Sequence, residues 1–373
     1  MVRPPRAAVP LLLALAASAT GQSELSEEIA ARADAGRHAE IDAAVRKGLA
    51  WLARHQGEHG GWVAAVGHKR GDGYLVLDPT RHGLRGDGHP GVSALAGLAF
   101  LADGHVPDRG PYRDVVNRTI DYLLSKQNDA GYISDNESRM YSQAFATLFL
   151  SQVHGMSESR RLVVDEALRR AVRFVEEAQN VHGGWRYSPK TIETDLSVTV
   201  CQVQSLRAAR NIGIRVNGSR IERVIDYVER SRIPSGRYEG AFYYKIHGRA
   251  AYTKTSYAIN AAAVTSLHSA GVYDRARYGG ALRYLEDHYD EVSRIYPYHY
   301  YFWYGNYYAA QAFHHEGGRR WERYWKRLRD DLLARQEPDG RWINSVGPGD
   351  AFSTAVACLL LRIPAEYLPI FQK

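Results

Sequence analysis

Cysteine is nearly absent from this chain of 373 residues, which contains only Cys201 and Cys358. Both lie in apolar stretches that helical periodicity, described below, assigns to opposite sides of a ring of helices. A disulfide requires two Cα atoms within about 7 Å of each other, so we expect no bridge between these residues. The sequence therefore predicts two buried, unpaired thiols that act as small apolar side chains.

A strong excess of one charge is also missing. The 48 Lys and Arg residues face 41 Asp and Glu residues, and arginines alternate with acids along the predicted outer helices. Because a nucleic-acid surface needs a concentrated basic stripe, the sequence predicts no nucleic-acid partner. Linkers and low-complexity tracts are absent between residues 38 and 362, which indicates a single domain over residues 38–373.

The chain has no apolar run long enough to cross a membrane. Its N-terminal run, Ala7–Ala17, follows two arginines and ends in Ala17-Ser18-Ala19, which is typical of a signal-peptide cleavage site. No cysteine follows that site to accept a lipid. We therefore predict a signal peptide over residues 1–19, an N-terminal extension over residues 20–37, and a protein exported to the periplasm or the cell exterior.

The chain does contain a recurring signature in which a Gln precedes a glycine turn and an aromatic residue. Four copies span Gln56–Trp62, Gln127–Tyr132, Gln179–Trp185 and Gln336–Trp342, with a degenerate copy at Arg232–Tyr238. The aromatic residues are 70, 53, 53 and 104 positions apart, and 104 is twice 52, so a sixth, eroded copy is expected near residue 290. Six copies of one supersecondary unit predict a repeat architecture.

The stretches between the signatures follow two helical patterns. Arg161–Gln179 has apolar residues on one face only, which indicates an amphipathic helix. Stretches such as Ala94–Leu101 and Ala261–Leu267 are apolar all round and must be buried on every side. An outer amphipathic ring around an inner apolar ring satisfies both patterns. The predicted fold class is therefore all-α, an α/α toroid of six helical hairpins, in which each Gln bonds the backbone of the next repeat.

Several segments resemble those of a known superfamily. They are Gly104-His105 with Gly110–Tyr112, Met140-Tyr141, Gly183–Pro189, Asp195–Thr199, Trp303–Gly305 and Ser353–Ala355. On these residues the chain resembles the prenyltransferase and squalene-oxidase repeat toroids, which include the terpenoid cyclases. More closely, it is similar to their exported bacterial members without an assigned reaction. The resemblance covers nearly all of the chain after the signal peptide.

The resemblance implies an acid at the start of an inner helix. Triterpene cyclases protonate an alkene or epoxide with an aspartic acid, and Asp195 is the corresponding residue, with Glu193 as the neighbouring carboxylate that would help to retain its proton. Leu196 replaces the second acid of the cyclase motif. The alternative interpretation is that Asp195 is an ordinary helix N-cap.

Metal-dependent chemistry has little support in the sequence. A zinc prenyltransferase requires Asp, Cys and His ligands, but Ser197 stands where the Cys belongs and Asp350–Ser353 supplies no His. The long connection over residues 63–90 contains His82, Asp87 and His89, which are weak evidence for a metal site. We therefore predict no metal and no cofactor. The loop itself is expected to be a lid or a surface insertion.

Aromatic residues indicate a binding surface for an apolar ligand. The segment Tyr296–Tyr308 is rich in tyrosine, and helical spacing places several of its rings on one face of an inner helix. Such a wall suits a polyisoprenoid chain, a carbocation or a sugar ring. The alternative is plain aromatic packing. The predicted ligand-binding residues are Tyr141, Trp185, Tyr252, Tyr300, Trp303, Tyr304, Tyr307 and Tyr308.

Three functions remain open at this stage. The first is an exported toroid that binds an isoprenoid or other apolar ligand in a tyrosine-lined central cavity. This hypothesis includes a form in which the protein also transforms the ligand. If it is an enzyme, it is terpene cyclase-like, with Asp195 as the acid. The second is a glycan-active toroid similar to polysaccharide lyases, with Tyr or His as the base and Arg neutralising a uronate. The third is a noncatalytic scaffold for partner proteins.

Overall fold

The computed structural model describes residues 36–64, 69–70, 73–74, 88–135 and 138–372. The predicted signal peptide, most of the long connection, His82 and Asp87 lie outside the described residues. The chain divides into two units at residue 44, and the second unit, from Val45 to Lys373, carries the repeats. None of the described helices is both long and apolar enough to cross a membrane.

Helices make up most of the described part of the chain. A two-residue antiparallel pair, β1 (Lys69–Arg70) and β2 (Gly73–Tyr74), lies in the long connection. The helices are α1 (residues 36–54), α2 (Pro90–Ala102), α3 (Arg113–Ser125), α4 (Arg139–Val153), α5 (Arg161–Ala178), α6 (Leu196–Asn211), α7 (Gly218–Arg230), α8 (Tyr257–Ser269), α9 (Arg275–Ile295), α10 (Tyr300–Glu316), α11 (Gly318–Ala334) and α12 (Asp350–Arg362), followed by the 3₁₀ turns Ile363–Ala365 and Pro369–Phe371.

The even-numbered helices form a closed inner ring. Each of α2, α4, α6, α8 and α10 packs against the next even-numbered helix, and α12 packs back against α2. The odd-numbered helices α3, α5, α7, α9 and α11 pack outside them, each on the inner helix that precedes it. The predicted all-α toroid of helical hairpins is therefore confirmed.

Burial separates the two rings as the periodicity predicts. Every residue of α2 and of α8 is buried, so the inner helices are enclosed on all sides. The outer helix α5 buries only one stripe, which includes the predicted Val164, Leu168 and Val175. At about 25 cal/mol per Å² of apolar surface, this two-sided burial supplies most of the stabilisation of the ring.

The tryptophans of the signature join each turn to the outer helix that precedes it. In three repeats the indole N–H donates a hydrogen bond to the backbone carbonyl ten residues earlier, near the end of that helix. The pairs are Trp62 with Leu52 at 2.9 Å, Trp185 with Val175 at 2.8 Å and Trp342 with Leu332 at 2.7 Å. Each indole ring is thereby fixed over the last turn of the outer helix.

The glutamines of the signature join each turn to the next outer helix. Their Nε2 atoms donate to carbonyls in the early turns of that helix, as predicted from the sequence. The pairs are Gln56 with Val115 at 3.0 Å, Gln127 with Ala167 at 2.8 Å and Gln179 with Arg220 at 2.9 Å. In the degenerate copy, Arg232 replaces Gln and donates to the carbonyl of Ala276 at 3.1 Å.

Two aromatic assignments of the signature are wrong. In each turn, the residue that is buried can be recognised because its backbone N–H donates to a polar side chain of the following inner helix. Trp185 donates in this way to Thr199. In the second and fourth turns the donors are Ile133 and Phe242, both fully buried, and not Tyr132 or Tyr238. Tyr132 instead stacks on the ring of Phe174, with centroids 4.7 Å apart.

The turn glycines bring the backbones of neighbouring repeats into contact. Gly60, Gly131, Gly183 and Gly340 have φ between +90° and +100°. A Cβ atom at any of them would lie 2.2–2.4 Å from a carbonyl oxygen of an outer helix, at Arg118, Arg170, Arg223 and Lys47 respectively. The last of these contacts joins the final turn to α1 and closes the outer ring.

We predict that Gly183→Ala destabilises the protein far more than Gly236→Ala. Both glycines have φ +93°, but a Cβ at Gly236 meets no atom within 4 Å, whereas one at Gly183 overlaps the carbonyl of Arg223. The Gly236 variant should lose about 1 kcal/mol from left-handed strain, and the Gly183 variant a further 2 kcal/mol or more, roughly, from the overlap. Melting temperatures of the two variants test this. Equal losses would contradict the backbone contact.

The two cysteines lie where the sequence places them. Cys201 in α6 and Cys358 in α12 are buried and free, on inner helices at opposite positions of the ring. Burial raises the pKa of the Cys201 thiol to about 12 and that of the Cys358 thiol further still. Both therefore remain protonated thiols, as predicted.

His89 caps the first inner helix. Its Nδ1 accepts a hydrogen bond from the N–H of Val92 at 3.2 Å, and the ring is 7% exposed. Burial lowers the pKa of His89 from 6.5 to about 4. The neutral ring is thus the form that the fold requires, because a protonated Nδ1 cannot accept the bond from Val92.

We predict that acid weakens the fold through His89. The pKa of His89 is lower in the folded than in the unfolded chain, so its contribution is complete above pH 6.5 and declines as the pH falls toward 4. At pH 5 the loss relative to pH 7 should be about 2 kcal/mol. The variant His89→Asn keeps a capping oxygen that does not titrate. Its melting temperature should fall less than that of the wild type between these pH values, and parallel declines would contradict the assignment.

Candidate functional site

The inner helices all begin at one end of the ring, which we call the mouth. Each inner helix follows an outer helix of opposite direction, so the N-termini of α4, α6, α8 and α10 converge there. Helix N-termini carry partial positive charge and attract carboxylates or polar ligand groups. Asp195 occupies this position as the N-cap of α6, with its side chain bonded to the N–H of Val198 at 2.9 Å.

Asp195 is fully buried and both of its oxygens are engaged. Oδ1 accepts from Val198 N and from the hydroxyl of Ser197 at 2.6 Å. Oδ2 accepts from the hydroxyl of Tyr244 at 3.1 Å and from Nη1 of Arg186. A carboxylate buried with a guanidinium and three further donors is a stable acceptor. Asp195 is therefore the N-cap of α6, as the alternative interpretation expects.

Arg186 connects the two predicted acids. Its Nε lies 3.5 Å from Oε2 of Glu193, while its Nη1 holds Asp195. Burial alone would lower the pKa of Arg186, but the Asp195 carboxylate and the neighbouring phenols outweigh it and raise that pKa. Glu193 is one-third exposed and also lies 3.4 Å from Nζ of Lys245. Arg186 thus connects the two carboxylates, and Lys245 is a second cation beside Glu193.

Four tyrosines surround this ion pair. Tyr141 is hydrogen-bonded to Ser197 Oγ at 2.8 Å, and Tyr304 donates to the Ser197 carbonyl at 2.7 Å. The hydroxyls of Tyr187 and Tyr244 lie 2.7 Å apart, and Arg186 stacks over the Tyr187 ring at 4.3 Å. We call the group Tyr141, Arg186, Tyr187, Asp195, Ser197, Tyr244 and Tyr304 the mouth cluster.

The phenols of the mouth cluster are neutral. Burial is the largest cause that raises the pKa of Tyr141, Tyr244 and Tyr304, and the Asp195 carboxylate adds to it in each case. At physiological pH these side chains are hydrogen-bond donors and apolar ring surfaces. They are poor bases, because a phenolate would have to form in a buried site beside a carboxylate.

The other predicted ligand-binding residues lie in different places. Trp185 is buried in its turn, and Trp303 is buried edge-on against Phe302, so neither ring lines the mouth. Tyr252 is 55% exposed and packs on Tyr243. Tyr300 is half-buried beside His299 at the start of α10. Of the predicted ligand-binding side chains, Tyr141 and Tyr304 are the two that hydrogen-bond to Ser197 in the Asp195 network, whereas Trp185 bonds Asp195 through its backbone carbonyl alone.

Deeper in the ring, α10 is hydrogen-bonded across to α6. Below Tyr304, the hydroxyl of Tyr308 lies 3.0 Å from Sγ of Cys201, and Gln204 donates to Gln311 at 2.5 Å. Tyr307 packs beside them against Phe145, at 6.0 Å. This face of α10 is the tyrosine wall that the helical spacing predicts, but its lower rings are packed against side chains of α6.

The C-terminal segment enters the same interior. Its turn Pro369–Phe371 packs on α6, and Leu368, Ile370 and Phe371 are buried. The Phe371 ring lies 6.4 Å from that of Tyr307. The interior beyond the mouth is therefore occupied at this level by the chain's own side chains.

Sequence reasoning missed Arg186, Tyr187 and Tyr244. Their signal lies in the register of the repeat. Because Phe242 takes the place of Trp185, Tyr244 and Tyr187 both follow the buried turn residue by two positions. This two-residue offset directs both side chains to the mouth.

No metal site is evident in the part of the chain that the structure describes. There, no three His, Cys, Asp or Glu side chains lie close enough together to hold a metal ion. Of the histidines in the long connection, only His89 is described, and its Nδ1 serves the helix cap.

Comparison with known proteins identifies the fold. No protein-family model and no curated protein matches the chain. Among solved structures, the type II terpene cyclase MstE from Scytonema, with geranylgeranyl dihydroxybenzoate as substrate, has a TM-score of 0.57 and 10% identity, and the match covers 89% of this chain and 99% of the cyclase. A product complex of the same enzyme, with merosterolic acid A, has a TM-score of 0.56 and 12% identity.

A second neighbour shows how widely this fold is used. An alpha-amylase from Clostridium perfringens has a TM-score of 0.56 and 8% identity, and the match covers 86% of this chain and 97% of the neighbour. At such identities the likeness concerns the fold alone. The chain is thus a terpenoid cyclase-like helical toroid in architecture, and its function has to be argued from the mouth cluster.

We predict that Arg186→Met is more destabilising than Asp195→Asn. Removal of Arg186 leaves the carboxylate of Asp195 buried without its cation, which should cost about 3–5 kcal/mol. Asn at position 195 keeps the cap to Val198, and the half-buried Arg186 still reaches Glu193, so the loss should be about 1–2 kcal/mol. The double variant should melt above Arg186→Met alone. Melting temperatures of all three variants test the coupling, and strictly additive losses would refute it.

Proposed function

We propose that this toroid binds an isoprenoid or another elongated apolar ligand at its mouth. The observation that carries the proposal is the group of neutral, half-buried phenol rings at the convergence of four inner helices. Their ring faces offer apolar contact, and the phenol oxygens can accept a hydrogen bond from a ligand hydroxyl. The similarity of the fold to a cyclase whose substrate carries a geranylgeranyl chain is consistent with this ligand class.

In this proposal Asp195 positions the mouth cluster and does not donate a proton. Protonation of an alkene requires a carboxylic acid that holds its proton at neutral pH. Both oxygens of Asp195 are instead engaged by Arg186 and three further donors, so neither is free to face a ligand. We therefore place binding, and not cyclisation, at the centre of the proposal. Cyclisation would require Arg186 to leave Asp195 when a ligand binds.

The glycan-lyase alternative has less support from the same geometry. A tyrosine base needs a pKa near the working pH, whereas the pKa of every tyrosine that contacts Ser197 or Asp195 is raised. An arginine that neutralises a uronate needs a free guanidinium, and Arg186 is already held by Asp195 and Glu193.

A noncatalytic scaffold is the second candidate. The observation that favours it is the packed interior, where α10 bonds across to α6 and the C-terminal segment fills the adjacent space. A ring filled in this way is a rigid support for its rim loops. Export of the chain, with cleavage before Thr20, likewise remains a proposal that rests on the N-terminal sequence.

We predict that geranylgeraniol binds the wild type and raises its melting temperature. Tyr141→Leu removes one ring of the mouth cluster and should weaken binding about tenfold. Tyr132→Leu is the matched control, because Tyr132 is also half-buried but stacks on Phe174 at an outer turn. Titration calorimetry on the three proteins measures the effect.

Three outcomes would overturn the proposal. The first is the absence of any binding to the wild type, together with co-purification of a stoichiometric protein partner from the native host, which would establish the scaffold. The second is equal weakening in the two leucine variants. The third is tighter binding of a maltooligosaccharide than of geranylgeraniol, which would indicate a glycan site.

A further inference from the structure

The outer surface of the toroid carries a groove along α9. Two adjoining pockets, with volumes of about 600 and 250 Å³, share the residues Arg275, Ala276, Gly279 and Arg283 of α9. The larger pocket extends to the start of α11, and the smaller one to the turn over residues 232–240.

The groove is strongly cationic. Its walls contain Arg232, Arg275, Arg283, Arg319 and Arg320 against two carboxylates, Glu239 and Glu316. Arg320 is also paired with Glu286, at 3.3 Å. Like charges repel, so the guanidiniums in excess of these carboxylates raise the free energy of the unliganded protein. An anion in the groove would relieve that repulsion.

One nearly buried acid organises part of this wall. The side chain of Glu316 is 3% exposed and lies 2.7 Å from Arg275 and 3.7 Å from Arg320. It fixes two guanidiniums at the rim of the larger pocket. Arg283 and Arg319, by contrast, have no carboxylate within 4.0 Å in the part of the chain described by the structure, so their charges remain available to a ligand.

Backbone N–H groups add positive charge to the same side of the groove. Helix α11 starts at Gly318 after the N-cap Gly317, no side chain caps it, and its first residues line the larger pocket. Its first N–H groups and its dipole thus add to the positive charge of the arginines. Gly279 keeps the centre of the groove open, since a Cβ there would approach only Nη1 of Arg283, at 3.9 Å.

We propose that this groove is a binding site for an oligoanion with two or more phosphate or sulfate groups. The planar guanidinium fork pairs with such oxygens through two parallel hydrogen bonds. A ligand with several charges can contact Arg319 in the larger pocket and Arg283 at the junction of the two pockets at once. A single small anion leaves one of these arginines unpaired and binds more weakly.

The test is calorimetric titration of the whole protein with sodium tripolyphosphate and with orthophosphate. We expect tripolyphosphate to bind more tightly, and the double variant Arg283→Gln/Arg319→Gln to weaken its binding about tenfold or more. The variant Arg161→Gln/Arg215→Gln is the matched control, because it removes two exposed arginines elsewhere and changes the net charge equally. Gly279→Leu should weaken binding without any change in charge.

Two results would overturn the proposal. If the wild type does not bind tripolyphosphate, the groove is not an oligoanion site. If the control double variant loses as much affinity as Arg283→Gln/Arg319→Gln, the attraction belongs to the whole surface.

For a protein that binds tripolyphosphate, sedimentation with vesicles that contain phosphatidic acid identifies the source of the anion. Binding that tripolyphosphate reverses indicates a lipid headgroup, and its absence in a protein that binds tripolyphosphate indicates a soluble oligoanion.

Discussion

The close contact between the backbone of each turn and the next outer helix is the constraint on which the toroid depends. At Gly183 the two backbone segments approach so closely that no side chain fits. At Gly340 the same kind of contact joins the last turn to the first helix. The glutamine and tryptophan bonds reinforce this contact, because they tie the turn to the outer helices on both sides. A ring closes only if every repeat adds nearly the same rotation, and this repeated contact supplies it.

The closed ring in turn creates the buried environment of the mouth cluster. Convergence of the inner helix N-termini brings Asp195 into contact with Arg186 and Tyr244, and Ser197 into contact with Tyr141 and Tyr304. The ion pair is stable there only because each remaining oxygen and hydroxyl also has a partner. One buried carboxylate thus fixes the positions of the phenol rings to which we assign ligand binding. The arginines of the outer groove, by contrast, are open to solvent.

The sequence predicted the helices and the glutamine contacts well, since both follow from local periodicity and turn chemistry. It misplaced two aromatic residues because Tyr132 and Tyr238 satisfy the pattern of residue types but not its spacing. Gln56, Gln179 and Gln336 each precede their buried tryptophan by six positions, and the same count from Gln127 gives Ile133. In the fourth turn the chain between Arg232 and Phe242 is longer, so counting fails there and only packing reveals the buried residue.

Asp195, Tyr141 and Tyr304 were found from sequence because each lies at the start of an inner helix, a position that periodicity reveals. Arg186 and Tyr244 were not, since their role depends on how two turns 58 residues apart meet across the mouth. Whether a tyrosine on α10 faces a ligand or the protein interior also depends on the opposite helix. The helix pattern and the number of repeats depend on residues that are close together in the sequence. Charge pairing and the filling of the ring depend on contacts between segments that are distant in the sequence.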